Sequence, residues 1–136
     1  MDDSLLGLLG LCRRAGKLEL GEEDSLQAAR ERRARLVLAA SDIAEGPLKK
    51  ARALETDNCP VLSVPFPMDR LGSAVGRGTC ALAAVTEVGF ASALVRKLAQ
   101  ADPERYAETS QRLERRAEKA VRRRRAKRQA GKTGGR

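Results

Sequence analysis

The segment Leu36-Val37-Leu38-Ala39-Ala40 is the strongest indication of the fold, because it is an apolar run without polar alternation. Such a run is typical of a strand that helices cover on both faces. Residues 61–64 and 80–85 have the same character, and helix-compatible segments separate the three runs. This alternation predicts an α/β protein: a three-layer α/β/α sandwich around a small sheet that is mainly parallel or mixed.

Charge divides the 136-residue chain into two unequal parts. Residues 1–102 contain 14 basic and 14 acidic residues, whereas residues 103–136 contain 13 basic and 4 acidic ones, so the last quarter carries the whole net charge of +9. We predict one domain over residues 1–100 and a basic extension over residues 101–136, partly helical and disordered from residue 130 onward. Truncation after Gln100 should then leave a folded domain.

The composition argues against an enzyme. Histidine is absent, which removes the commonest general base and the commonest metal ligand. The cysteines, Cys12, Cys59 and Cys80, are odd in number and widely spaced, a pattern of neither a zinc site nor a disulfide framework. No Ser–His or Cys–His couple and no P-loop is present. We therefore expect no catalytic residues, no metal and no cofactor.

The N-terminus begins with Asp2-Asp3 in place of the basic region of a signal peptide. No segment approaches the ~18 apolar residues of a membrane span. A cytoplasmic protein without a membrane partner is expected. Since no long apolar seam indicates an obligate dimer, we also expect a monomer.

Two further stretches accompany the apolar strand: Ala15-Gly16-Lys17 followed by Gly21-Glu22-Glu23, and Arg70-Leu71-Gly72 followed by Gly76-Arg77-Gly78. Their order and spacing resemble the kink-turn RNA-binding family of ribosomal protein L-seven-Ae, in its bacterial YlxQ-type branch, over roughly residues 5–98. The resemblance implies a ribonucleoprotein role in a ribosomal or regulatory-RNA context. Structured RNA, either a kink-turn or ribosomal RNA, is the expected partner, with the ribosome as a candidate assembly.

The resemblance implies a first RNA-contacting segment at residues 21–27. The family pattern Gly-x-Asn-Glu-x-x-Lys is met by its glycine alone, because Glu23, Asp24 and Gln27 replace the Asn, Glu and Lys. The implied RNA-contacting residues are Gly21, Glu22, Glu23, Asp24 and Gln27, and Lys17 supplies positive charge nearby. The alternative is that the acidic residues only complement the dipole of a helix start.

A second implied segment is the loop Arg77-Gly78-Thr79-Cys80, which the resemblance packs against the extruded nucleotide of the kink. The alternative is a plain turn. A dinucleotide site is not favoured, because its glycines follow a strand and open a helix, whereas these glycines follow a helix and lead into a strand.

Two functions from different classes remain open. The first is shape recognition of structured RNA, which needs few aromatic side chains, and the chain has only one Tyr and two Phe. The second is a protein-interaction adaptor on the same scaffold, with only non-specific nucleic-acid binding by the basic extension. The extension's candidate phosphate contacts are Arg122, Arg123, Arg124, Arg125, Lys127 and Arg128.

Overall fold

The structure is a computed structural model that describes residues 4–134. Helices and strands alternate along this part of the chain. In order they are α1 (Ser4–Arg14), β1 (Leu18–Leu20), α2 (Glu22–Arg30), β2 (Leu36–Ala39), α3 (Glu45–Ala53), β3 (Val61–Ser63), α4 (Met68–Ala74), β4 (Leu82–Val85), α5 (Val88–Ala101) and α6 (Pro103–Gly134).

The strands form one mixed sheet in the order β1-β4-β2-β3. Strand β2 runs parallel to β3, whereas β4 lies between β1 and β2 and is antiparallel to both. The predicted α/β class is confirmed, and of the two expected sheet types the mixed one is found. The apolar runs could not distinguish them, because continuous hydrophobicity reports burial on both faces and not strand direction.

Helices cover both faces of the sheet. In β2, Leu36 and Leu38 join a core that includes side chains from α1, α4, α5 and α6. The alternate residues Val37 and Ala39 join a second core with α2 and α3. This alternation follows from the period of two along a strand, and it makes the molecule the expected three-layer sandwich.

The first half of α6 is part of the core, which the predicted boundary at residue 100 does not allow for. The side chains of Tyr106 and Leu113 are only 2% and 1% exposed. The Tyr106 hydroxyl donates a hydrogen bond of 2.6 Å to the carbonyl oxygen of Ser63 at the end of β3. Tyr106 and Leu113 are seven residues apart, which places them on one face of the helix. Because arginines and glutamates surround them, a charge count over the whole segment does not reveal this apolar face.

Helix α6 then continues beyond the body of the domain, and every residue from Val121 to Ala130 is exposed. The helix extends to Gly134, so residues 130–134, expected to be disordered, are helical. The same expectation for residues 135 and 136 lies outside the described residues. Within residues 4–134, no helix is long and apolar enough to cross a membrane.

Candidate nucleic-acid interface

The two segments implied by the family resemblance meet where β1 ends and β4 begins. Gly21 has φ +88°, which a glycine adopts readily, and its N–H donates to the carbonyl oxygen of Leu82 at 2.9 Å. A Cβ atom added to Gly21 would lie 3.4 Å from Nη1 of Arg77. The guanidinium group therefore lies beside the turn that begins α2. We call this surface, residues 21–24 and 76–79 with Arg13, the Gly21–Arg77 edge.

The start of α2 combines backbone donors with acidic side chains. Gly21 is its N-cap and supplies no side-chain cap, so the first N–H groups of the helix have no partner within the helix. Glu22 lies 3.4 Å from Nζ of Lys50 in α3. Glu23 and Asp24 are exposed and form no hydrogen bond or ion pair through their side chains within the described residues. One carboxylate of this turn is thus paired, and two are open to solvent.

The loop between α4 and β4 is hydrogen-bonded to its own helix. The Arg77 N–H donates to the carbonyl oxygen of Gly72 at 2.7 Å, and the Cys80 N–H donates to that of Met68 at 3.0 Å. A Cβ atom on Gly72 would lie 2.6 Å from Cα of Thr79, a separation that real Cβ atoms do not adopt. Gly72 therefore allows the loop backbone to approach α4, and Thr79 and Gly78 are presented to solvent.

Arg13 joins this edge from α1. A Cβ atom added to Gly76 would lie 2.7 Å from Nη1 of Arg13. Two arginine side chains, Arg13 and Arg77, therefore lie along the glycine-rich loop. The position of Arg13 near the end of α1 is the one sequence feature that indicates a role for it. The loop that it contacts is more than sixty residues later, so the sequence does not indicate the contact.

One of the expected contact residues, Lys17, lies away from this surface. Lys17 accepts a hydrogen bond from the Thr86 N–H through its carbonyl oxygen, which places it at the other end of the sheet. The three residues of β1 separate Lys17 from Gly21 by about 13 Å, because an extended strand makes sequence neighbours distant. Gln27 is bonded to Arg30 and Glu31, at 3.4 and 3.1 Å, one turn further along α2.

Cys80 is a core residue, contrary to the expectation of an RNA contact. Its side chain is 2% exposed, and its Sγ donates to the carbonyl oxygen of Leu82 at 3.2 Å. Burial raises the pKa of the Cys80 thiol, and the Gly21 N–H and the charge of Arg77 oppose this only in part. Burial also raises the pKa of Cys12 and of Cys59 to about 11. These thiols stay protonated at neutral pH, so none is an activated nucleophile.

The expected non-specific contacts of the basic extension lie at the opposite end of β4. Helix α6 passes beside Val88, which follows β4, and Arg35, whose N–H donates to the carbonyl oxygen of Val85. The basic residues 122–128 are exposed on the part of α6 that leaves the domain at this end. Among the described residues no group of His, Cys, Asp or Glu is arranged to hold a metal ion.

Known proteins share this sequence pattern and fold. The family described as "Ribosomal protein L7Ae/L30e/S12e/Gadd45 family" matches residues 3–95. The RNA-binding protein YlxQ of Bacillus subtilis (strain 168) is 36% identical over 92 residues, which cover 65% of this chain and 88% of the relative.

Two solved structures have a similar fold. A protein of unknown function from Bacillus halodurans C has a TM-score of 0.61 and 29% identity, covering 70% of this chain and 96% of its own. The 15.5kD RNA binding protein of Giardia lamblia has a TM-score of 0.57 at 21% identity, covering 68% of this chain and 82% of its own. The family match over most of the chain and the 36% identity to the Bacillus subtilis relative together establish that this chain belongs to that ribosomal protein family, in its YlxQ-type branch.

Proposed function

We propose that this chain binds structured RNA, and specifically a kink-turn, through the Gly21–Arg77 edge. The observation that carries the proposal is the meeting of the α2 start with Arg77, whose Nη1 is 3.4 Å from the point that a Cβ atom on Gly21 would occupy. Unpaired backbone N–H groups at a helix start and guanidinium groups are both good partners for phosphate oxygens. Two such donor groups from distant segments create one surface that an RNA backbone can cross.

The relatives support this proposal. The Bacillus subtilis relative is named an RNA-binding protein and is 36% identical to this chain. A ribosomal or regulatory-RNA context, a cytoplasmic location and association with the ribosome are part of the proposal. Membership of the family also bears out the expectation that the chain is not an enzyme.

Recognition would proceed by shape. The edge has no aromatic side chain on which bases could stack, so contacts to backbone, 2′-hydroxyl and non-paired base edges are the available means. The open carboxylates of Glu23 and Asp24 accept hydrogen bonds from guanine amino and imino groups, while Arg77 and Arg13 contact phosphates. Binding that favours the bent RNA over the straight one shifts the RNA towards the bent state.

The second candidate function is a protein-interaction adaptor. The observation that favours it is the open pair Glu23 and Asp24, whose charges repel phosphates within the ~8 Å Debye length of physiological salt. In that case a basic protein segment would contact the acidic start of α2, and the extension alone would contact nucleic acid.

The deciding experiment is titration of one kink-turn RNA and one unkinked RNA duplex with the full chain at fixed salt. Arg77→Gln should weaken kink-turn binding about tenfold, the effect of one charged hydrogen bond. Arg115→Gln is the matched control, because Arg115 is an exposed arginine of α6 with no ion-pair partner in the described residues. Equal effects of the two substitutions, without preference for the kinked RNA, would establish the adaptor in its place.

Glu23→Asn tests the acidic start of α2 in the opposite direction. The substitution keeps an acceptor and removes the repulsion of phosphates, so kink-turn binding should tighten by up to about tenfold. Unchanged kink-turn affinity would mean that this turn does not touch the RNA.

A further inference from the structure

A groove with a volume of about 500 Å³ lies at the end of β4 opposite the Gly21–Arg77 edge. Arg35, which precedes β2, forms one wall, and Arg116, Lys119 and Arg123 of α6 form the other. Asn58, Val88 and Ala120 complete the lining. The fold thus gathers four cations from segments that are some eighty residues apart in sequence. We call these four residues and the space between them the basic groove.

The cations of the basic groove are not neutralised. No carboxylate lines the groove, and none of the four forms an ion pair within the described residues. Among the described residues the side chain of Arg35 makes a single hydrogen bond, from Nη1 to the carbonyl oxygen of Arg32 at 3.5 Å. The neighbouring acidic residue, Asp57, has its carboxylate 4.0 Å from Arg112. Mutual repulsion of unpaired cations favours an anionic ligand at this place.

The spacing of the α6 cations suits an extended polyanion more than a small anion. Arg116, Lys119 and Arg123 stand at i, i+3 and i+7, which is one face of a helix, and Lys127 continues the same row. From Arg116 to Lys127 the helix rises about 16 Å. Each strand of a DNA duplex carries one negative charge per ~3.4 Å of its axis, and the backbone of one strand of an RNA duplex can likewise present several phosphates along this row.

The loop before β2 adds a further cation at a backbone position that favours glycine. The Arg33 N–H bonds to the carbonyl oxygen of Ala28, and the Arg32 N–H to that of Ala29, which is the Schellman arrangement of a helix end. Arg32 occupies its left-handed position with φ +60°. An arginine is strained there, and its side chain lines a pocket that adjoins the basic groove through Arg35 and Asn58.

We infer that the basic groove binds the phosphate backbone of an RNA duplex, at a site separate from the Gly21–Arg77 edge. The groove contains no aromatic ring and one amide side chain, so it can contact phosphates but has little with which to read bases. Binding there is therefore independent of base sequence and of a kink. The inference does not depend on the kink-turn proposal, because it concerns the other end of the sheet.

The test measures binding of an unkinked RNA duplex to the full chain across a range of salt concentrations. The groove variant carries Arg116→Gln and Arg123→Gln. Its matched control carries Arg115→Gln and Lys49→Gln, which remove the same charge from exposed positions outside the groove lining. The groove variant should lower the slope of log K against log salt by about 2, one unit for each phosphate contact. The control should change it by less than half as much.

Two further variants test the wall of the groove that Arg35 forms. Arg35→Gln should weaken duplex binding several-fold, whereas a tail acting through diffuse charge would be insensitive to it. Arg32→Gly should raise the melting temperature by relieving the left-handed strain and at the same time weaken duplex binding. If Arg32 had a purely structural role, Arg32→Gly would raise the melting temperature and leave duplex binding unchanged.

The outcomes separate this inference from the proposed function. Equal effects of the groove and control variants, or no effect of Arg35→Gln, would overturn the groove even if kink-turn binding at the other end is found. Loss of binding to phosphatidylserine vesicles, with duplex binding intact, would assign the groove to lipid and overturn the RNA assignment. A kink-turn proposal that fails would not alter these results.

Discussion

The two halves of α6 show how one continuous helix can serve two different purposes. Residues 103–118 contain four arginines and four glutamates and are neutral, whereas residues 119–134 contain eight basic residues and no acidic one. The first half packs against α5 and buries Tyr106, Ser110 and Leu113. In the second half Val121 is 41% exposed, and the side chains from 121 to 130 are all open to solvent.

Charge density and burial are therefore separate properties of a helical segment. Burial depends on which face carries the apolar residues, so four arginines and four glutamates do not prevent the first half from joining the core. The second half has the same helical geometry, but from Val121 to Ala130 it buries no side chain. Its like charges at i, i+3 and i+4 oppose the helix by a few tenths of a kcal/mol for each pair, and an anionic ligand would remove that repulsion.

Truncation at two points gives the largest expected effect. A chain that ends after Gln100 loses Tyr106 and Leu113 from the core, and it should lose at least about 5 kcal/mol of unfolding free energy, enough to unfold a marginally stable domain. A chain that ends after Glu118 keeps both residues and should stay within about 1 kcal/mol of the full chain. Thermal and urea unfolding measure both.

The same pair of truncations tests the charge. Residues 1–118 hold equal numbers of basic and acidic residues, so the chain that ends after Glu118 should lose most of the salt dependence of duplex binding. A cooperative transition in the chain that ends after Gln100 would contradict the packing of α6 and restore the domain boundary expected from composition.

Matched substitutions in the two halves should give an intermediate effect. Leu113→Ala removes a side chain that is 1% exposed and should lower the unfolding free energy by about 2–5 kcal/mol. Val121→Ala, eight residues later on the exposed half, should change it by less than about 0.5 kcal/mol. Urea unfolding of both variants is the measurement, and similar losses would mean that the second half also packs against the domain.

Tyr106→Phe should give the smallest effect of the three. It removes the 2.6 Å hydrogen bond to the Ser63 carbonyl oxygen and should lower the unfolding free energy by about 1–2 kcal/mol.

Tyr106→Phe also changes how the unfolding free energy depends on pH. Burial raises the pKa of the Tyr106 hydroxyl above its ordinary value of 10.0. The unfolded state therefore releases this proton first, and stability falls as the pH rises above about 10.

The phenylalanine variant should lose less stability than the parent between neutral pH and the alkaline range, since it lacks this ionisation. The buried cysteines contribute to the alkaline loss in both proteins and cancel in the comparison. An identical alkaline loss in the two proteins would show that Tyr106 is accessible to water, contrary to its packing.

At the Gly21–Arg77 edge the structure brings together some of the residues named from the sequence and separates others. The glycine at 21, the acidic helix start and the loop at 76–79 were identified from the sequence together with the family resemblance. Lys17 was misplaced because nearness in sequence is not nearness in space across an extended strand. Cys80 was assigned to the surface because it follows the loop, although its side chain points into the core cluster on one face of the sheet.

The sequence by itself determined the α/β class, because continuous apolar runs between amphipathic helices can be buried in few other ways. It also determined where the net charge of +9 lies along the chain. Only the tertiary structure decided that β4 is antiparallel between β1 and β2, that Arg77 lies beside Gly21, and that Arg35 faces Arg116. The physical reason is that composition and periodicity are local properties of the chain, whereas strand pairing and long-range contacts are set by how all the apolar faces are buried at once.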